Sequence, residues 1–125
     1  MDGAREPARS FQDVEAWQRA HTLALSVYPL TDGFPRSEQF GLTSQLRRAA
    51  VSVAANIAEG FTRRSDAEKL RYLDVARGSL EECRYYLILC RDLAYAGPQE
   101  TEAELDRASR VLARYAAPIR QRLRE

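Results

Sequence analysis

The chain has 125 residues, the usual size of one domain and too few for two comfortable ones. Nineteen Lys and Arg stand against 18 Asp and Glu, a net charge of +1 that argues against a strongly basic nucleic-acid binder while leaving room for a local basic patch. With 45% hydrophobic and 30% charged residues the balance is that of a soluble globular domain. No run approaches the ~20 apolar residues of a membrane-spanning helix, and the opening MDGAREPARS lacks the apolar core of a signal peptide.

The polar opening with Pro7 predicts a frayed terminus over residues 1–9. A first helix is predicted over 10–29. Ser10 can cap it with Asp13, and Val14, Trp17, His21, Ala24 and Tyr28 recur at helical spacing as one buried face. Pro29 and the stretch Thr31 to Pro35 should end it. A second helix is predicted over 37–60, with Leu42, Leu46, Ala49, Ala50, Val53 and Ile57 inward and Gly60 as terminator.

A third helix, 65–96, opens with the capping pattern Ser65 to Glu68 and stops at Gly97-Pro98. Its seam is Leu73, Ala76, Leu80, Cys83, Leu87, Cys90 and Ala94. A second stripe lies beside it: Tyr72, Val75, Ser79, Glu82, Tyr86, Leu89 and Leu93. Two stripes on one helix mean cover on more than one side, by a central position or by another subunit. A fourth helix, 101–123, is capped by Thr101 and Glu104. It turns Leu105, Ala108, Leu112, Tyr115 and Ile119 inward, with Pro118 expected to kink or end it.

Nothing reads as a strand. The expected fold class is all-α, an antiparallel up-and-down four-helix bundle in a single domain spanning 1–125, with an open helical-hairpin assembly as the alternative.

No catalytic or metal site is expected, and no cofactor. His21 is the lone histidine and there is no Glu-x-x-His, so a di-iron bundle site is excluded. Cys83 and Cys90 lie about 10 Å apart along a helix axis, beyond disulfide reach. They read as free thiols, which predicts a cytoplasmic protein. All six glycines are isolated, so no phosphate-cradling loop is visible.

The edge of the second helix is more informative. Gln45, Ser52, Asn56 and Glu59 share one stripe beside the apolar face. Ser and Asn are poor interior helix formers. Together with Ser79 and Glu82 of the third helix they predict a half-buried polar network that fixes register or a subunit contact. A catalytic pair of Glu59 and Glu82 is the weaker reading of the same residues. Arg47, Arg48, Arg63 and Arg64 bracket this helix and are the first candidates for phosphate contacts. The six arginines from 107 to 124 suit a helix C-terminus, and Arg77, Glu81 and Arg84 suit a solvated face.

Five segments carry a resemblance: residues 11–18 (FQDVEAWQ), Phe34-Pro35, 41–50 (GLTSQLRRAA), 56–60 (NIAEG) and 76–82 (ARGSLEE). They resemble the bacterial 23S ribosomal RNA intervening-sequence proteins, also called the four-helix-bundle or S23 family, over roughly residues 10–120. The resemblance implies a four-helix bundle that assembles as a homopentamer, has no enzymatic activity, and acts as a scaffold or binds nucleic acid, RNA first. It also implies a distant similarity to accessory bundle proteins of diversity-generating retroelements. Ala54 stands where the family often has Pro, and Tyr72 where Phe is common. The expected partners are therefore further copies of the chain and RNA. The alternative is an adaptor that recruits an unidentified partner protein without nucleic acid. The two differ in salt dependence.

Overall fold

The computed structural model describes residues 7–125. Four α-helices follow one another: α1 (Glu15–Asp32), α2 (Leu42–Phe61), α3 (Asp66–Asp92) and α4 (Gln99–Arg124). Short 3-10 turns at Phe11–Asp13 and Arg36–Glu38 precede α1 and α2, and no strand occurs among the described residues. Each helix packs on its two neighbours in the order α1, α2, α3, α4 and back to α1, without diagonal pairs. This is the antiparallel four-helix bundle expected from the periodicity.

The core follows the expected stripes in three helices. In α2, Leu42, Leu46, Ala49, Ala50, Val53 and Ile57 are all buried, and in α3 the seam from Leu73 to Cys90 is buried. In α4, Leu105, Ala108, Leu112 and Ile119 are buried, with Tyr115 half-buried.

The first helix departs from expectation. Its core face is Ala16, Ala20, Leu23, Ala24, Val27 and Thr31. Of the expected stripe, Val14 and Ala24 are buried and Trp17 is half-buried, but His21 and Tyr28 face outward. The small residues went inward because bundle helices pack closely, and the large aromatics were left on the flank toward α2.

Helix ends also differ. Ser10 and Asp13 do form a reciprocal capping box, but on the 3-10 turn; Val14 is extended and α1 starts after it. Pro29 and Pro118 lie inside α1 and α4 without ending them. Both are exposed, so the carbonyl four residues before each, deprived of its donor, can take water. The Thr31 hydroxyl donates to the carbonyls of Val27 (2.9 Å) and Tyr28 (3.1 Å), tying the last turn of α1. Helix α2 starts five residues later than expected, where Glu38 Oε1 accepts from the Leu42 amide at 3.1 Å.

Gly60 is within α2 rather than after it. A Cβ there would sit 3.1 Å from Tyr72 Cβ and 3.4 Å from the Lys69 carbonyl, so glycine permits the close approach of α3. Ser65 caps α3 by accepting from the Glu68 amide at 3.2 Å. Thr101, the expected cap of α4, is instead buried one turn inside it, behind Pro98.

The third helix stops before Gly97-Pro98. The Ala94 amide donates to the Arg91 carbonyl (3.0 Å) and the Tyr95 amide to Cys90 (3.1 Å), the pattern of a Schellman ending. Ala94 has φ 57°, the left-handed conformation that normally selects glycine. The turn beyond it is anchored where the Tyr95 hydroxyl donates to Glu38 Oε2 at 2.7 Å and its ring meets Phe34 at 5.7 Å.

Ala94→Gly should therefore stabilise the chain by about 1 kcal/mol in urea denaturation. The observed face of α1 makes a second expectation. Leu23→Ala should cost about 2–5 kcal/mol, whereas Thr22→Ala, exposed on the outer side of α1, should shift stability by no more than about 0.5 kcal/mol.

Candidate nucleic-acid and assembly surfaces

The residues of interest lie on the two flanks of α2. Toward α3 the helices are close enough for the Ser52 and Ser79 hydroxyls to meet at 2.9 Å. Asn56 Nδ2 donates to the Ser52 carbonyl (2.8 Å) and hydroxyl (3.0 Å), leaving the Ser52 proton for Ser79. One to two turns toward the start of α2, the Tyr86 hydroxyl sits 2.8 Å from Gln45 Oε1 and 2.8 Å from Glu82 Oε2. The Glu82 carboxylate beside it, with a smaller contribution from burial, raises the Tyr86 hydroxyl above the usual phenol pKa.

Glu59 takes no part in these contacts. Its carboxylate holds Arg63 Nη2 at 2.7 Å. Because Gly60 packs against Tyr72, Glu59 lies roughly ten residues, or about 15 Å, along α3 from Glu82. The two carboxylates do not form a pair. Among the described residues no cluster of three or more His, Cys, Asp or Glu side chains is placed to hold a metal.

The four candidate arginines divide into two kinds. Arg47 Nε donates to Thr31 Oγ1 (2.8 Å), its Nη2 meets Asp32 (3.0 Å), and its guanidinium covers the Tyr28 ring at 4.7 Å. Arg63 is held likewise by Glu59, by the Tyr72 hydroxyl (2.8 Å) and over the Tyr72 ring (4.7 Å). These two are clamps between helices. Arg48 and Arg64 are exposed and have no acidic partner within salt-bridge distance among the described residues. The 47–48 and 63–64 pairs are separated by 16 residues, about 24 Å along the helix, so they do not make one patch.

The end formed by the α2–α3 turn and the end of α4 mixes Arg63, Arg64, Lys69, Arg71, Arg122 and Arg124 with Glu59, Asp66, Glu68 and Glu125. The opposite end carries Asp92, Glu100, Glu102 and Glu104 beside Arg36 and Arg91. Several of the arginines from 107 onward are tied: Arg107 to Glu104 (2.6 Å), Arg120 to Asp74 (3.0 Å) and Arg122 to Asp66 (2.9 Å). Arg84 reaches Glu81 at 3.4 Å and Asp106 at 2.9 Å.

Toward α1 the flank of α2 is apolar. Trp17, His21, Leu25 and Tyr28 of α1 and Val51 and Ala55 of α2 line an open groove with Phe11 at its end. Leu25, Tyr28 and Val51 are 59%, 42% and 46% exposed, a clustering that single surface hydrophobics do not show. Trp17 stacks on His21 at 4.9 Å and meets Phe11 edge-on at 5.0 Å. Periodicity had selected Trp17, His21 and Tyr28 as core; with Leu25 they form a second apolar face instead. Phe40, 89% exposed just before α2, belonged to no stripe. The sequence places Phe40 inside the predicted second helix, off its apolar face, and carries no signal for it.

An all-α bundle with no strands, no converging metal ligands among its described residues and two uncovered helix flanks defines the class of protein. The chain belongs to the 23S rRNA-intervening sequence protein family, whose model matches residues 12–116. Among solved structures it is similar to a protein of unknown function from the S23 ribosomal protein family of Bacteroides thetaiotaomicron. The TM-score is 0.73 at 20% identity, covering 82% of this chain and 96% of that one. That likeness is one of fold. No curated protein matches the chain.

The clamps and titrating groups make two tests. Arg47→Gln should lower stability by about 1 kcal/mol through loss of the Thr31 hydrogen bond and the Tyr28 contact, and Arg48→Gln should leave it unchanged, both read by urea midpoint. The Arg122 hydrogen bond lowers the Asp66 pKa below 3.8, and the Tyr95 hydroxyl, followed by the Leu42 amide, lowers that of Glu38 below 4.5. A lowered carboxylate contributes stability that is full above its ordinary pKa and is lost as pH falls through the folded value. The denaturation midpoint should therefore decline below about pH 4.5. The double change Asp66→Asn with Glu38→Gln should flatten that acid limb.

Proposed function

We propose that the protein is a non-enzymatic scaffold that closes into a ring of identical subunits, a homopentamer, and binds RNA. The observation that carries this reading is that α2 is left uncovered on both flanks, apolar toward α1 and polar toward α3, with Arg48 there unpaired among the described residues. The apolar flank is suited to a different face of the next copy, the head-to-tail geometry that generates rings. The second stripe of α3 supplies exposed apolar residues of its own, Val75 at 49% and Leu93 at 45%. Of the four candidate arginines, Arg48 and Arg64 are the two without an acidic partner among the described residues and so the two left for phosphates. Family membership supports the fold and the setting in 23S ribosomal RNA genes.

The competing reading is an adaptor whose apolar flank receives one partner protein. It is favoured by the same groove of Trp17, Leu25, Tyr28 and Val51 if the chain remains single in solution. Purified protein titrated with structured ribosomal RNA at two salt concentrations separates them. Binding should weaken steeply with salt, and Arg48→Gln with Arg64→Gln should reduce both affinity and the salt slope by about one contact each. Leu25→Glu with Val51→Glu should return the assembly to monomers in light scattering. No binding at low salt by a monomeric protein would sink the RNA ring and leave the adaptor.

A further inference from the structure

On the α3 side of α2, Phe40, Gln45, Arg48, Ser52, Ser79 and Glu82 line one open groove of ≈ 500 Å³. Its composition is unusual for a surface between two helices of a bundle. One end holds an aromatic ring that is 89% exposed and packs against nothing in the core. A free guanidinium lies within it, and its wall is a row of hydrogen-bonding groups already held in place. The one Tyr86 hydroxyl proton is donated to the Glu82 carboxylate at 2.8 Å, and Gln45 lies beside the same hydroxyl at 2.8 Å. Ser52 and Ser79 are fixed to each other at 2.9 Å and braced by Asn56. A groove of this volume is within the range that takes a small ligand, and its polar groups do not have to reorganise to receive one.

We propose that this groove receives an unstacked purine nucleotide of single-stranded RNA, guanine by preference. The inference rests on the RNA reading above and assigns it a base-recognition site. Unpaired RNA bases are held by stacking on exposed aromatic rings and by hydrogen bonds to their Watson–Crick edge. Phe40 supplies the ring. The Glu82 carboxylate supplies acceptors only, with about four lone-pair sites of which Tyr86 occupies one. Guanine is the base whose Watson–Crick edge presents two adjacent donors, N1–H and the N2 amino group, matching two carboxylate oxygens. Uracil presents one donor between two acceptors, which would face the carboxylate unfavourably. Gln45 has both a donor and an acceptor for the neighbouring edge. Arg48, which has no acidic partner among the described residues, is left for the nucleotide's phosphate. Arg47, one residue away but locked on Tyr28 and Asp32, is not available to it.

The test uses the full chain and two six-nucleotide RNAs, UUGGUU and UUUUUU, with structured ribosomal RNA titrated alongside. UUGGUU should bind tighter than UUUUUU. Phe40→Ala should weaken UUGGUU about ten-fold, and Glu82→Gln should narrow the preference between the two hexamers to the part that stacking on Phe40 supplies. Phe40 is exposed and makes no core contact, so Phe40→Ala should leave the unfolding midpoint unchanged, and Glu82→Gln keeps an acceptor for Tyr86 and should lower that midpoint only slightly. If structured RNA binds but the hexamers are bound equally and Phe40→Ala changes nothing, the groove proposal is overturned while the RNA reading stands. If UUGGUU binds through Phe40 and structured RNA does not bind, the groove stands and the larger RNA reading fails. If Phe40→Ala changes the mass of the assembly without moving hexamer affinity, Phe40 is a subunit contact and the proposal is overturned.

Discussion

The close packing of α2 on α3 is the constraint on which the rest of the molecule depends. Small residues make it possible: Ala49, Ala50 and Val53 on one helix, Ala76 and Cys83 on the other, and Gly60 where the two backbones draw nearest Tyr72. That approach brings Ser52 and Ser79 within hydrogen-bond distance, and it sets the register that puts Gln45 opposite Tyr86 and Arg63 over Tyr72. A larger side chain at any of these positions would separate the helices and dissolve the polar row between them. The row therefore has a structural task, fixing register, and a geometric consequence, a groove with pre-ordered polar walls.

The buried thiols belong to the same packing. Cys83 and Cys90 fill gaps in the seam, and burial pushes the Cys83 thiol up to about 12. At that value the thiolate is scarce and the residue behaves as a small hydrophobe. Five arginines, by contrast, tie helices together. Arg47 joins α1 to α2, Arg63 joins α2 to α3, and Arg84, Arg120 and Arg122 join α3 to α4. Arg48 and Arg64 have no acidic partner among the described residues, a distinction that the near-zero net charge hides.

Much of the architecture was legible in the sequence. The core stripes of α2, α3 and α4 follow from 3,4 spacing because those helices each have one dominant apolar face or a clear seam. The first helix has two apolar faces, and spacing cannot say which is inward; bulk favoured Trp17 and Tyr28, whereas close packing selected Ala16, Ala20 and Leu23. Helix ends were misplaced where a local signal met a tertiary one. Pro29 and Pro118 are tolerated because they face water, and Ala94 replaces the expected glycine because Tyr95 anchors the turn beyond it. The arginines were unreadable for a similar reason. Whether Arg47 or Arg48 is free depends on Asp32, Thr31 and Tyr28, which come close only when α1 and α2 pack together.

The central claim is that the two flanks of α2 are working surfaces, one for copies of the chain and one for RNA. Sedimentation velocity of the protein with fluorescently labelled ribosomal RNA, at low and at high salt, examines both at once. The expected result is a particle several times the mass of one chain at either salt, carrying RNA at low salt and releasing it at high salt. A single-chain particle that never carries RNA would contradict it.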